Sequence, residues 1–185
     1  MAPHVCPGWI GYLLVNPLRR LFHNPDKILA GFVTPGMTVL DIGPGMGYFT
    51  LPLATLVGPT GQIVCVDVQT RMLQVLLKRA RGAQLAERIV TRVCEPSSLG
   101  LEDLAGRIDF ALAFAVVHET ADPLCFFISI ARALRPGARC LVVEPKGHVA
   151  APAFETMLAA AGQAGLGVVG RPVIRWCRAA ALQKE

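Results

Sequence analysis

Apolar positions along this 185-residue chain alternate between two rhythms. "MTVLDIG" (37–43), "QIVCVDV" (62–68), "RIVTRVC" (88–94), "IDFALAF" (108–114) and "RCLVVE" (139–144) are short, nearly continuous apolar runs. Such runs suit strands buried on both faces. Between them the period lengthens. Leu73, Leu76, Leu77 and Ala80 fall at i, i+3, i+4 and i+7 and predict a helix near 69–81. "YFTLPLATLVG" predicts a helix that stops at Gly58-Pro59. Asp122-Pro123 opens another helix, with Leu124, Phe127, Ile128, Ala131 and Leu134 on one face and Pro136-Gly137 closing it. A helix carrying Phe154, Met157, Leu158 and Ala161 ends near Gly165, and two short strands at about 166–170 and 173–181 complete the chain.

Ahead of the first strand, "NPLRRLFH" and "NPDKILAGF" each begin with an asparagine that can cap and a proline suited to the first helical position. Residues 1–33 therefore read as a helical segment, and 34–185 as the main domain. Doubly buried strands separated by amphipathic helices mean a parallel sheet covered on both sides. The expected fold class is α/β, a single doubly wound Rossmann-like domain.

Composition narrows the class. Hydrophobic residues at 53% and charged ones at 17% exclude a disordered or coiled-coil chain. "WIGYLLV" (9–15) is too short to span a bilayer and lacks a preceding basic region, so a soluble cytoplasmic protein without a signal peptide is expected. The six cysteines form no C-x-x-C pair, and Cys65 and Cys140 sit in apolar runs as small core residues, so neither a disulfide framework nor a metal site is expected. Cys6 lies outside any periodic run. The net charge of +5 includes one modest cluster, Lys78, Arg79, Arg81, Arg88 and Arg92, without interleaved aromatics. That pattern reads as a solvated helix face, and a nucleic acid or other anionic partner is not favoured.

The chemistry is concentrated in "VLDIGPGMGYFT" (39–50), where Gly43, Gly45 and Gly47 follow a strand and Asp41 stands just before them. Glycine lets a ligand approach the backbone closely, and the following helix start offers unpaired N–H groups. Asp67 ends the second strand, where a carboxylate can accept hydrogen bonds from both ribose hydroxyls of an adenosine group. Two adenosine ligands compete for this arrangement. A dinucleotide site uses G-x-G-x-x-G to rest a pyrophosphate on a helix start, whereas here the spacing is G-x-G-x-G behind a carboxylate. Asp41 would repel a pyrophosphate and attract the ammonium of a methionine-type group, which favours S-adenosylmethionine over NAD.

"MTVLDIGPGMGYFTLPLA" resembles motif I of class I S-adenosylmethionine-dependent methyltransferases, and "VCVDVQTRML" resembles the segment around their second strand. "IDFALAFAVVHETADPLCFFISIARALRPGARCLVVEPKGHV" is similar to their fourth strand, next helix and fifth strand. The likeness covers roughly 34 to 181 and lies in the small bacterial and archaeal branch near the quinone-biosynthesis and arsenite methyltransferases. It implies a seven-stranded, mostly parallel sheet with an antiparallel last strand. It also implies cofactor roles. Gly43, Gly45 and Gly47 pass beneath S-adenosylmethionine, Asp41 holds its amino acid end, and Asp67 binds its ribose. Val68 and Met72 flank the adenine, Glu95 lies near the adenine amine, and Ala113 and Phe114 border the methionine portion. Where the family more often has Asp-Ala, this sequence has Glu95-Pro96, and proline supplies no N–H.

On the acceptor side, "VVHET" supplies His118 and Glu119 as candidate catalytic residues, since histidine near its ordinary pKa can take a proton. Glu144 and His148 are candidates for the acceptor pocket, with Lys146 a weaker one. Trp9, Tyr12 and Phe22, beside Cys6, are expected to bring aromatic surface to that pocket on a helical lid over the cofactor. A small-molecule acceptor is the expected partner. The competing functions are a non-catalytic S-adenosylmethionine-binding protein and an NAD-type oxidoreductase.

Overall fold

The computed structural model describes residues 17–185. Seven strands form one sheet: β1 (Thr38–Ile42), β2 (Gln62–Asp67), β3 (Ile89–Val93), β4 (Ile108–Phe114), β5 (Leu134–Pro145), β6 (Leu166–Gly170) and β7 (Cys177–Lys184). Their order is β3-β2-β1-β4-β5-β7-β6. The helices are α1 (Pro25–Leu29), α2 (Thr50–Leu56), α3 (Thr70–Gly82), α4 (Pro123–Ala133) and α5 (Ala151–Gln163). This is the expected α/β Rossmann-like sheet, with β7 antiparallel to both of its neighbours.

Two compact units make up the chain, one ending at Cys94 and the other running from Glu95 to Glu185. In the first, β1 pairs in parallel with β2, and β2 with β3. Val39, Leu40, Ile63, Val64, Cys65 and Val66 are buried, so both faces of β1 and β2 are covered. Helix α3 contributes Met72, Leu73, Leu76 and Ala80 to this core; of the stripe Leu73, Leu76, Leu77 and Ala80 read from the sequence, Leu77 is only half-buried and Met72 is buried in addition. Asn24 caps α1 by accepting from the N–H groups of Asp26 and Lys27, with Pro25 at the first helical position.

In the second unit, β4 pairs in parallel with β5, and β7 runs antiparallel between β5 and β6. Phe110, Leu112, Leu141, Val142, Val143 and Phe127 are fully buried. β6 therefore runs in the direction of β5, and the chain leaves β4, β5 and β6 at the same edge.

Four expectations need correction. The Asn16-Pro17 piece is a 3-10 turn at Pro17–Leu21 rather than an α-helix. Pro136-Gly137 does not close a helix. The helix stops at Ala133, and the dipeptide lies inside β5, where the pairing register shifts between Ile108 and Phe110. An irregular stretch of strand tolerates the missing proline N–H. Helix α4 buries Phe126, Phe127, Ile130, Ala131 and Ala133, while Leu124 and Ile128 are half-buried. Its sequence is apolar almost all round and so marks no unique stripe. The last strand begins at Cys177, not at 173, because Val173 is fully exposed and Trp176 adopts φ +59° in the preceding turn.

Candidate active site

Strand β1 delivers Asp41 into the interior and the glycine turn to its carboxyl end. Gly43, Gly45 and Gly47 have φ of +65°, +54° and +84°. At Gly47 a Cβ would lie 3.0 Å from Cγ of Leu76, so the small residue lets α3 pack against the turn. At Gly45 a Cβ would meet nothing within 4 Å, which means the bare backbone faces open space. A guanidinium N–H of Arg79 donates to the Met46 carbonyl and pins the turn from α3. Arg79 is therefore not part of a solvated helix face, and Arg88 also turns inward to the Ala54 carbonyl at 3.0 Å.

Two carboxylates stand beside this turn. Asp41 is 2% exposed and accepts from the Thr50 hydroxyl at 2.7 Å. Burial pushes its carboxyl up to about 7, the Thr50 bond opposes that, and the charge of Asp67 adds to it. Asp67 accepts from the Gln69 N–H at 2.8 Å and the Gly45 N–H at 3.3 Å. Burial raises its carboxyl too, against those two N–H groups. Neither acid has a cationic side chain as partner among the described residues. A ligand with a positive charge and a ribose fits these groups, because Asp67 keeps lone pairs for hydroxyl donors and the pair of acids favours a cation. A pyrophosphate does not fit beside two buried carboxylates.

A second cluster lies at the carboxyl ends of β4 and β5. Ala115, just past β4, adopts φ +58°, a left-handed conformation that a non-glycine residue holds at a cost of about 1 kcal/mol or more. That turn leads into a 3-10 turn at Val117–Glu119 carrying His118. Glu144 of β5 is fully buried, accepts the Val117 N–H at 2.8 Å and lies 2.5 Å from Nδ1 of His118. On the other side of the ring, Nε2 of His118 is 3.3 Å from Nδ1 of His148. The hydrogen bond to Glu144 raises the His118 pKa, burial opposes this, and the charges of Glu144 and Glu119 add to it.

The profile of a family described as a methyltransferase domain matches residues 33–169. The chain belongs to the class I S-adenosylmethionine-dependent methyltransferases. It is 32% identical over 148 residues to the ubiquinone/menaquinone biosynthesis C-methyltransferase UbiE of Ectopseudomonas mendocina, covering 78% of this chain and 56% of that protein. A second UbiE, from Cellvibrio japonicus, is 32% identical over 148 residues, covering 78% of this chain and 58% of that one. The chain thus spans little more than half the length of the curated relatives it matches. Among solved structures, a SAM-dependent methyltransferase from Aquifex aeolicus superposes with a TM-score of 0.87 at 23% identity, covering 98% of this chain and all of that one. The [4+2]-cyclase SpnF superposes with a TM-score of 0.70 at 18% identity, covering 86% and 79%. The sheet alone therefore does not fix a methyltransferase's chemistry.

The sequence-predicted residues of this methyltransferase domain fall into three groups. Asp41, the three glycines and Asp67 come together in the first unit. Val68 is half-buried just past β2, whereas Met72 is 4% exposed and packs into the α3 core. In the second unit, Phe114 ends β4 and is buried, as is Ala113 before it. Glu95 is exposed in a turn, its N–H bonded to the Ser98 carbonyl. Trp9, Tyr12 and Cys6 lie outside the described residues. Reading along the chain missed Thr50, Arg79 and the Val117 N–H. None had a local signal, because each acts on a residue 9, 33 or 27 positions away.

Proposed function

We propose that this chain transfers a methyl group from S-adenosylmethionine to a small acceptor. The observation that carries the reading is the pair of buried acids flanking an open glycine turn. When bound, S-adenosylmethionine supplies an electrophilic methyl group on a positively charged sulfur. The chain's own residues then have definite tasks. Asp67 accepts from the ribose hydroxyls, Asp41 meets the positive end, and the Gly45 backbone permits close approach. Methyl transfer is an in-line displacement with a neutral leaving group, so orientation and exclusion of water dominate the protein's contribution. The relatives' printed name favours carbon as the methylated atom, in ubiquinone or menaquinone biosynthesis.

Calorimetry tests this directly. S-adenosylhomocysteine should bind the wild-type chain, and Asp67→Ala should weaken binding by roughly 100-fold, the loss of charge-assisted hydrogen bonds to two hydroxyls. Binding of NADH with no binding of S-adenosylhomocysteine would refute the reading. Saturable cofactor binding without turnover on any acceptor would instead favour a non-catalytic binding protein.

A further inference from the structure

We propose that Glu144, His118 and His148 form a proton relay ending at Nε2 of His148, and that it serves an acceptor that gives up a proton as it is methylated. This rests on the methyltransferase reading above and names the class of acceptor that the same enzyme takes.

The direction of transfer depends on which nitrogen carries hydrogen. A carboxylate only accepts, so at 2.5 Å from Oε2 of Glu144 the Nδ1 of His118 carries the proton. In neutral His118, Nε2 is then a lone pair. It lies 3.3 Å from Nδ1 of His148, and that contact is a hydrogen bond when Nδ1 of His148 donates. The remaining lone pair, on Nε2 of His148, belongs to an exposed residue. When Nε2 of His148 takes a proton, Nδ1 of the same ring can pass its own to Nε2 of His118. The contact survives with donor and acceptor exchanged. The positive charge comes to rest on His118, against the buried carboxylate, and the raised His118 pKa is consistent with storage there.

Satisfying Glu144 does not require the third member. Its two oxygens already have the Val117 N–H and the His118 ring. His148 adds a path from that buried pair to the outside. It leaves from the carboxyl edge of β4 and β5, where open α/β sheets bind ligands. The charged groups acting on His118 are Glu144 from β5 and Glu119 from its own turn.

The transfer balances as follows. With a hydroxyl or enol acceptor, the O–H bond breaks and its proton goes to Nε2 of His148. The electron pair left behind forms the new bond to the methyl carbon, at oxygen or at the conjugated carbon. The carbon–sulfur bond of the donor breaks, and sulfur leaves as a neutral thioether. Reaction at carbon then returns the ring or enol by loss of the C–H proton to water. In this scheme His148 is a catalytic residue and Glu144 a positioning residue.

Two experiments on the full chain decide it. In 15N-labelled protein, imidazole NMR should find neutral His118 as the Nδ1–H tautomer, and neutral His148 with its proton on the Nδ1 that faces it. Glu144→Gln should lower the His118 midpoint, because the hydrogen bond and charge that raise it are lost. An Nε2–H tautomer of either ring, or an unmoved midpoint, would overturn the relay. The second experiment offers catechol, a 1,3-diketone, N,N-dimethylaniline and dimethyl sulfide as acceptors. Catechol or the diketone should be methylated. His148→Gln and Glu144→Gln should each lower kcat by about 100-fold, the scale of general-base catalysis. The rising limb of the pH–rate profile should move to lower pH in Glu144→Gln. Methylation confined to the amine and sulfide, or a limb that does not move, would overturn the proposal. His148 is exposed, so its variant folds even if the Glu144 variant does not. Failure of S-adenosylhomocysteine to bind the wild type would count against the methyltransferase reading, while the NMR titration would judge the relay by itself.

Discussion

The two units of this chain both bury acids at the ends of parallel strands, and they treat them in opposite ways. Glu144 is fully buried against an imidazole that can carry the balancing charge. Asp41 and Asp67 are buried near each other with, among the described residues, neutral donors alone, a hydroxyl and two backbone N–H groups. Burying a carboxylate without a cation is costly, and the group responds by holding its proton more tightly. The second unit therefore completes its own electrostatics. In the first, the protein's own groups leave room for a positive ligand to lower the energy of both acids.

The largest expected effect comes from neutralising Asp41. Its pKa of about 7 in the fold, against an ordinary 3.8, means the folded chain holds a proton that the unfolded chain releases. The penalty is small below pH 4, grows as pH rises, and is complete above pH 7, where it reaches up to about 4 kcal/mol. Asp41→Asn should raise Tm at pH 8 and leave it nearly unchanged at pH 4, while weakening S-adenosylhomocysteine. A lower Tm at pH 8 would show that Asp41 is not a strained acid. Wild-type binding should release a fraction of a proton near pH 7, visible as a dependence of calorimetric heat on buffer ionisation enthalpy.

Glu144→Gln should act with the opposite sign. A histidine whose pKa is raised in the fold contributes stability that is full below its unfolded pKa, about 6.5, and is lost as pH rises through the folded value. Denaturant unfolding should thus show a loss of roughly 1.5–3 kcal/mol at pH 5, shrinking toward pH 9. Equal losses at both pH values would mean that the pair acts by packing and not by charge.

Two glycine substitutions separate fold from ligand within the first unit. Gly47→Ala meets Leu76 at 3.0 Å in a left-handed conformation and should cost about 2–3 kcal/mol in chemical denaturation. Gly45→Ala adds a methyl to open space, so its cost should stay near 1 kcal/mol, while S-adenosylhomocysteine binding falls more than stability does. The reverse ranking would place the open space elsewhere. The smallest effect is expected on the surface, where Arg171 and Glu155 form a bidentate pair with both side chains more than half exposed. Arg171→Ala should leave Tm and cofactor affinity unchanged within error.

Much of the fold was legible because its signals are local. The buried strands are apolar at consecutive positions, and Asn24 and Asp122 cap the helices that they precede. The errors fell where local signals were ambiguous. Pro136-Gly137 reads as punctuation but sits in an irregular strand, and α4 is apolar on too many sides to show its buried face. The basic cluster was misread for a related reason. Charge is visible in sequence, but the carbonyls that Arg79 and Arg88 reach are not.

The same division runs through the site. By itself the sequence determined the parallel sheet, the glycine turn at a strand's end and the acids around it, because each depends on residue type at short spacing. It also supplied His118, Glu119, Glu144 and His148 as separate candidates. The tertiary structure decided which of these lie together. It joined Glu144 to His118 and His118 to His148, and gave Asp41 the hydroxyl of Thr50. Hydrogen bonds form between atoms about 3 Å apart, and strand pairing brings together residues far apart in the chain at that distance. Periodicity records which side of an element is buried; it carries no information about which distant group waits there.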